Sequence, residues 1–125
     1  MIQTLLQVAL GGAVGASLRY LTGLGAVRLM GPGFPWGTLT VNVVGSAAMG
    51  ALVVILADSL GNRFAPLLMT GLLGGFTTFS AFSLDAVSLY ERGEAGLALL
   101  YVGASVILSL MALALGLWAA RGLYA

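Results

Sequence analysis

The chain has 125 residues, of which 60% are hydrophobic and only 7% charged, with a formal net charge of +1. A soluble domain carries roughly a quarter of its residues as charged side chains, so this composition excludes a water-facing surface. Cysteine, histidine and lysine are all absent, which removes disulfides, thiolate nucleophiles, the commonest metal ligand and general base, and the lysine of a phosphate-binding loop.

A spanning helix takes about 20 residues, so the chain has room for four and predicts a single four-helix transmembrane domain over residues 1–125 with no extramembrane part. The uncharged runs are Met1 to Leu18, Leu29 to Ala57, Phe64 to Leu84 and Ala95 to Ala120. Spans are therefore expected near Ile2 to Leu24, Trp36 to Leu60, Phe64 to Tyr90 and Glu94 to Arg121. The four carboxylates, Asp58, Asp85, Glu91 and Glu94, all fall near the predicted membrane surfaces. Nothing in this set suggests an enzyme.

The first span begins Met1-Ile-Gln, without a positively charged start, and reads as a retained helix rather than a cleaved signal. It carries two small-xxx-small pairs, Gly11 with Gly15 and Gly12 with Ala16, which let helix backbones approach closely. Arg19 follows inside the same span. The loop MGPGFPW then combines glycine, proline and an interfacial tryptophan.

In the second span, WGTLTVNVVGSAAMG puts Thr38, Asn42, Gly45 and Ser46 on one helical face. A buried Asn42 either glues helices together, worth about 1–2 kcal/mol at most, or offers its amide donors to an anion. The third span contains TGLLGGFTTFSAFS, a run too polar and too glycine-rich for a simple anchor. Irregular backbone at membrane depth survives only where it is buried in protein or lines a polar cavity. Phe79 and Phe82 share a face there, either as core packing or with electropositive ring edges set beside Thr77, Thr78, Ser80 and Ser83. In the fourth span Tyr101, Ser105 and Ser109 recur every four residues as a stripe of hydroxyls, although serine in such helices often bonds its own i−4 carbonyl.

Charge placement bears on orientation. Arg63 and Arg121 flank one membrane side, Arg28 and Arg92 the other. Arginine bias of short loops sets topology, so this near tie is compatible with one weakly fixed orientation or with insertion both ways. Insertion both ways permits an antiparallel homodimer.

GGAVGASLRY (Gly11 to Tyr20), WGTLTVNVVGS (Trp36 to Ser46) and GLLGGFTTFSAFS (Gly71 to Ser83) resemble the signature segments of the Fluc fluoride channels, also called CrcB. The resemblance covers nearly the whole chain. It implies a dual-topology homodimer in the plasma membrane of a bacterium, embedded in lipid, with no nucleic-acid partner and two pathways for passive fluoride export. By motif, Asn42 donates to fluoride, Phe79 and Phe82 form an aromatic box with Thr78 beside it, and Tyr101, Ser105 and Ser109 line a polar track. The family's third helix is broken near Gly74 to Thr77, where backbone carbonyls of Gly74 and Thr77 from both subunits hold a structural Na⁺. Arg19 resembles a vestibule arginine, Asp85 matches a position where acids occur, and Ala81 stands where many members carry threonine. A break at Gly74-Gly75 would free carbonyls for a cation while exposing a helix N-terminus to an anion. The runner-up is a small dual-topology proton-coupled exporter of the multidrug-resistance type, which needs an ionisable residue at membrane depth; the first span offers only Arg19.

Overall fold

The computed structural model describes residues 1–124, the side chains of Ser59 and Leu60 excepted. All its regular elements are helical. Helix α1 (Ile2–Met30) runs beyond the predicted Leu24 and ends at Gly31, whose φ of 79° turns the chain away. Pro32 and Pro35 in the following loop cannot continue a helix with a donated N–H, so α2 (Trp36–Ile55) starts only after Pro35. It is prolonged by a wider π-helical turn, Leu56–Leu60, up to Gly61 at φ 64°.

After a 3₁₀ turn (Gly61–Phe64), the chain re-enters helix at Pro66. Proline suits this first position because its missing N–H would have had no partner there. The segment Pro66–Leu73 is π-wound and passes into the short helix α3 (Gly74–Phe76). Thr77 and Thr78 are extended, and α4 (Phe79–Glu91) begins after them. Gly93, at φ 81°, turns the chain into α5 (Ala95–Tyr124).

The break in the third span thus lies at Thr77–Thr78, later than the Gly74-Gly75 step that the sequence suggested. Gly74 is helical, with φ −62° and ψ −37°. The two glycines serve packing instead: a Cβ on Gly75 would meet the carbonyl oxygen of Gly12 at 2.8 Å. Gly11 and Gly15 face this segment from α1, and a side chain on either would strike the backbone oxygen of Leu67 or Leu72. A second close crossing joins α2 and α5, where Gly50 meets the oxygen of Leu113 and Gly116 that of Ala47. Where lipid removes the hydrophobic drive between helices, such backbone-to-backbone contact is what association relies on.

The buried cluster is small, built on Leu39, Leu89, Ala98 and Tyr101. Large apolar side chains cover the outside instead; Trp118 is 74% and Leu110 67% exposed. Three helical stretches, Trp36–Asp58, Gly61–Glu91 and Ala95–Tyr124, are long and apolar enough to cross a membrane. An apolar exterior over such helices makes this a membrane protein. Helix α1, 29 residues long, has the length but carries Gln3, Gln7 and Arg19.

Candidate functional site

The site is organised by the break between α3 and α4 and by one residue of α2. Asn42 Nδ2 donates to the carbonyl of Thr78 at 3.0 Å, and the Thr78 N–H donates back to Asn42 Oδ1 at 2.8 Å. One side-chain amide therefore replaces both backbone bonds of a residue that has left the helix. Asn42 is well suited to this, since an amide carries donors and an acceptor side by side. The second Nδ2 hydrogen remains available.

Thr78 also caps α4. Its Oγ1 accepts from the Ala81 N–H at 3.1 Å and lies 3.3 Å from Ser80 Oγ. These substitutions have a consequence for two carbonyls. In an unbroken helix Gly74 O would accept from Thr78 N–H and Thr77 O from Ala81 N–H; both donors are now committed elsewhere. Gly74 and Thr77 thus present the oxygens that the break releases, without any nearby carboxylate. Among the described residues no cluster of acidic side chains could hold a metal, so a cation here would rest on backbone oxygen, and these two carbonyls fit that role. Between them, Gly75 O is taken by Arg19 Nε at 3.0 Å. Arg19 is half-buried against the break rather than free in solution.

Above the break lies an open cavity of about 350 Å³, whose wall includes Asn42, Thr78, Phe79, Phe82, Ser105 and Ser109. Ser46 and Thr77 also reach it, whereas Thr38 does not. The Phe79 and Phe82 rings stand 5.5 Å apart, tilted by 49°. Phe82 packs into the core, while Phe79 is 78% exposed.

The serine stripe of α5 divides. Ser105 is 5% exposed and its hydroxyl has no hydrogen-bond partner among the described residues. Other hydroxyls in the molecule take the i−4 carbonyl, as Ser17 does with Ala13 O and Ser83 with Phe79 O. Ser105 does not, and leaving a buried polar group unpaired costs about 1–3 kcal/mol. Ser109 shares the cavity wall.

Tyr101 stands apart from the two serines. It is fully buried, lines no cavity, and its hydroxyl donates to Asp85 Oδ2 at 3.2 Å. Asp85 belongs to the middle of α4 rather than to a helix end. Its spacing from other charges made it look like a boundary marker; its register, on the face of α4 toward Tyr101, is what brings it inside. The pairing of Asn42 with Thr78 was equally hidden, because nothing in either segment alone announces that one completes the other.

A family described as CrcB-like protein, Camphor Resistance (CrcB), matches residues 6–117. A protein of Cereibacter sphaeroides called fluoride-specific ion channel FluC is 70% identical over 122 residues, covering 98% of each chain. Proteins with the same name from a Ruegeria species (61% over 123 residues, 98% of each chain) and from Paracoccus denitrificans (57% over 125 residues, the whole of each chain) are also similar. The chain belongs to the CrcB family.

Proposed function

We propose that this member of the CrcB family is a fluoride-selective channel, not an enzyme, giving passive fluoride efflux across a bacterial plasma membrane. The observation that carries the reading is the cavity in which Asn42, Thr78, Phe79, Phe82 and Ser109 meet the unpartnered hydroxyl of Ser105. The name shared by relatives 57–70% identical supports it.

Fluoride is small and strongly hydrated, so a pathway must replace its water with closely spaced donors. Ser105 Oγ, Ser109 Oγ and the spare Asn42 Nδ2 hydrogen are such donors, and the rims of Phe79 and Phe82 add electropositive C–H edges. The N-terminus of α4 opens beside them, where helix dipoles favour an anion. Chloride, being larger, would gain less from so tight a set. Arg19, drawn in against Gly75, adds a positive charge at the approach.

In this reading α1 is a fourth span, and the balanced arginines let copies insert both ways and pair antiparallel, giving two pathways. Phe79, 78% exposed in the single chain, leaves one flank of the aromatic pair for the second copy to cover. The released carbonyls of Gly74 and Thr77 from both copies would surround a structural Na⁺ at the dimer axis, in the way backbone oxygens replace an ion's water elsewhere.

One observation favours the proton-coupled exporter: Asp85, an acid in the middle of α4 bonded to buried Tyr101. The two readings separate in proteoliposomes loaded with potassium fluoride. A channel releases fluoride when a potassium ionophore is added, at matched pH on both sides and with a protonophore present. Fluoride movement that stops when the proton gradient is abolished would establish the exporter instead.

A further inference from the structure

A second cavity, of about 290 Å³, opens on the other side of Tyr101. Its wall is made by the loop between α1 and α2, carrying Phe34 and Trp36, by Thr38 at the start of α2, and by Asp85, Ser88 and Arg92 of the α4 end. The two cavities are joined by a continuous row of rings. Phe82 lies 5.3 Å from Tyr101, Tyr101 meets Phe34 edge-to-face at 5.4 Å and 90°, and Phe34 rests 4.6 Å from Trp36. The Tyr101 hydroxyl bonds Asp85, which itself lines the second cavity. Tyr101 is therefore a one-residue partition with a polar atom at its far side.

The loop is held where it can matter. Gly31 at φ 79° and the two prolines fix its course, and Arg92 Nη2 reaches the Gly33 carbonyl at 3.4 Å, a long contact on the exposed side. Phe34, half-buried, fills the space between that tie and Tyr101.

We propose that this second cavity is the other mouth of the anion path, with Phe34 as the ring at its threshold and Arg92 as the charge that keeps it open to an anion. The proposal rests on the channel reading above. Asp85 alone would repel fluoride from this mouth; Arg92 in the same wall offsets that charge, and its contact with Gly33 sets how far Phe34 leans on Tyr101. A lowered local barrier for anions follows from a cation in a confined, poorly solvated cleft.

The chain has no cysteine, so Ser88→Cys would carry the only thiol. The full-length variant is labelled in detergent with a sulfonate-bearing or an ammonium-bearing methanethiosulfonate, labelling is verified by mass, and fluoride efflux is measured after reconstitution. The sulfonate label should lower flux by about tenfold or more, as a like charge placed beside an anion does, and the ammonium label should lower it much less. In parallel, Arg92→Gln should lose flux several-fold at low ionic strength and recover as salt shortens the Debye length, while Arg92→Lys keeps the flux. A fully sulfonate-labelled Ser88→Cys with undiminished flux, or an Arg92→Gln protein matching wild type at every ionic strength, would overturn the proposal. A wild-type protein that moves no fluoride at all would overturn the channel reading beneath it.

Discussion

Replacing Ser105 with alanine should separate conduction from stability. The Ser105 hydroxyl is buried at 5% exposure and has no partner among the described residues. Removing it deletes a desolvated group that costs the resting fold about 1–3 kcal/mol, so Ser105→Ala should unfold at the same temperature as wild type or a little higher. Its effect on an ion in the cavity has the opposite sign. A hydrogen bond to a charged partner is worth about 1.5–3 kcal/mol, and each 1.36 kcal/mol of barrier is roughly tenfold in rate. If the hydroxyl meets fluoride at the highest point of its path, flux should drop by about 10- to 100-fold. Efflux from proteoliposomes and thermal unfolding in detergent measure the two quantities on one preparation. Ser17→Ala, which removes a hydroxyl bonded to Ala13 O outside the cavity, serves as the control. Wild-type flux in Ser105→Ala would show that the hydroxyl is off the path. A loss of flux matched by a loss of stability would make it a packing residue, and the reasoning would fail.

Asn42→Ala should unpair both the N–H and the carbonyl of Thr78, costing about 2–6 kcal/mol if neither finds a new partner, and nearer 1 kcal/mol if membrane hydrogen bonds behave at their measured average. Asn42→Asp keeps an acceptor for the Thr78 N–H but turns the donor into a charge facing the Thr78 carbonyl, so flux should fall further than stability; normal efflux in both variants would make the pairing incidental. Phe82→Ile, which removes a ring edge while filling much of the space, should cut fluoride efflux and leave the elution volume in size-exclusion chromatography unchanged. Gly15→Ala places a methyl against the Leu72 carbonyl and should destabilise by about 1–3 kcal/mol or more, whereas Gly103→Ala, with nothing within 4 Å, should be neutral or stabilising; equal melting temperatures would contradict the close crossing of α1.

The extent to which the sequence announced this architecture follows from the physics of its residues. Long uncharged runs locate the helices because charge is excluded from lipid, and small residues at four-residue spacing reveal the crossings because only they admit a neighbouring backbone. The polar residues inside the spans were visible for the same reason: Asn42, Ser105 and Ser109 are conspicuous against leucine and alanine, and they line one cavity. What the runs could not reveal is contact between distant segments. The helix continues through Gly74 and Gly75, because their missing side chains serve contact with α1, and it ends at Thr77–Thr78, because Asn42 waits there with both a donor and an acceptor. Asp85 looked like a marker of a membrane surface because charge spacing carries no register; the turn of α4 that aims it at Tyr101 is a tertiary fact. The split of the tyrosine from the two serines has the same origin, since period four places all three on one stripe without saying what each meets.

The central claim is selective, passive fluoride conduction, and ion release from reconstituted vesicles tests it most directly. Vesicles carrying the full-length protein are loaded with potassium fluoride or with potassium chloride, diluted into potassium-free buffer at the same pH, and opened to potassium with an ionophore. Fluoride should leave within the time of mixing and chloride should stay inside. Chloride leaving as fast as fluoride, or fluoride remaining trapped until a proton or sodium gradient is imposed, would contradict the account.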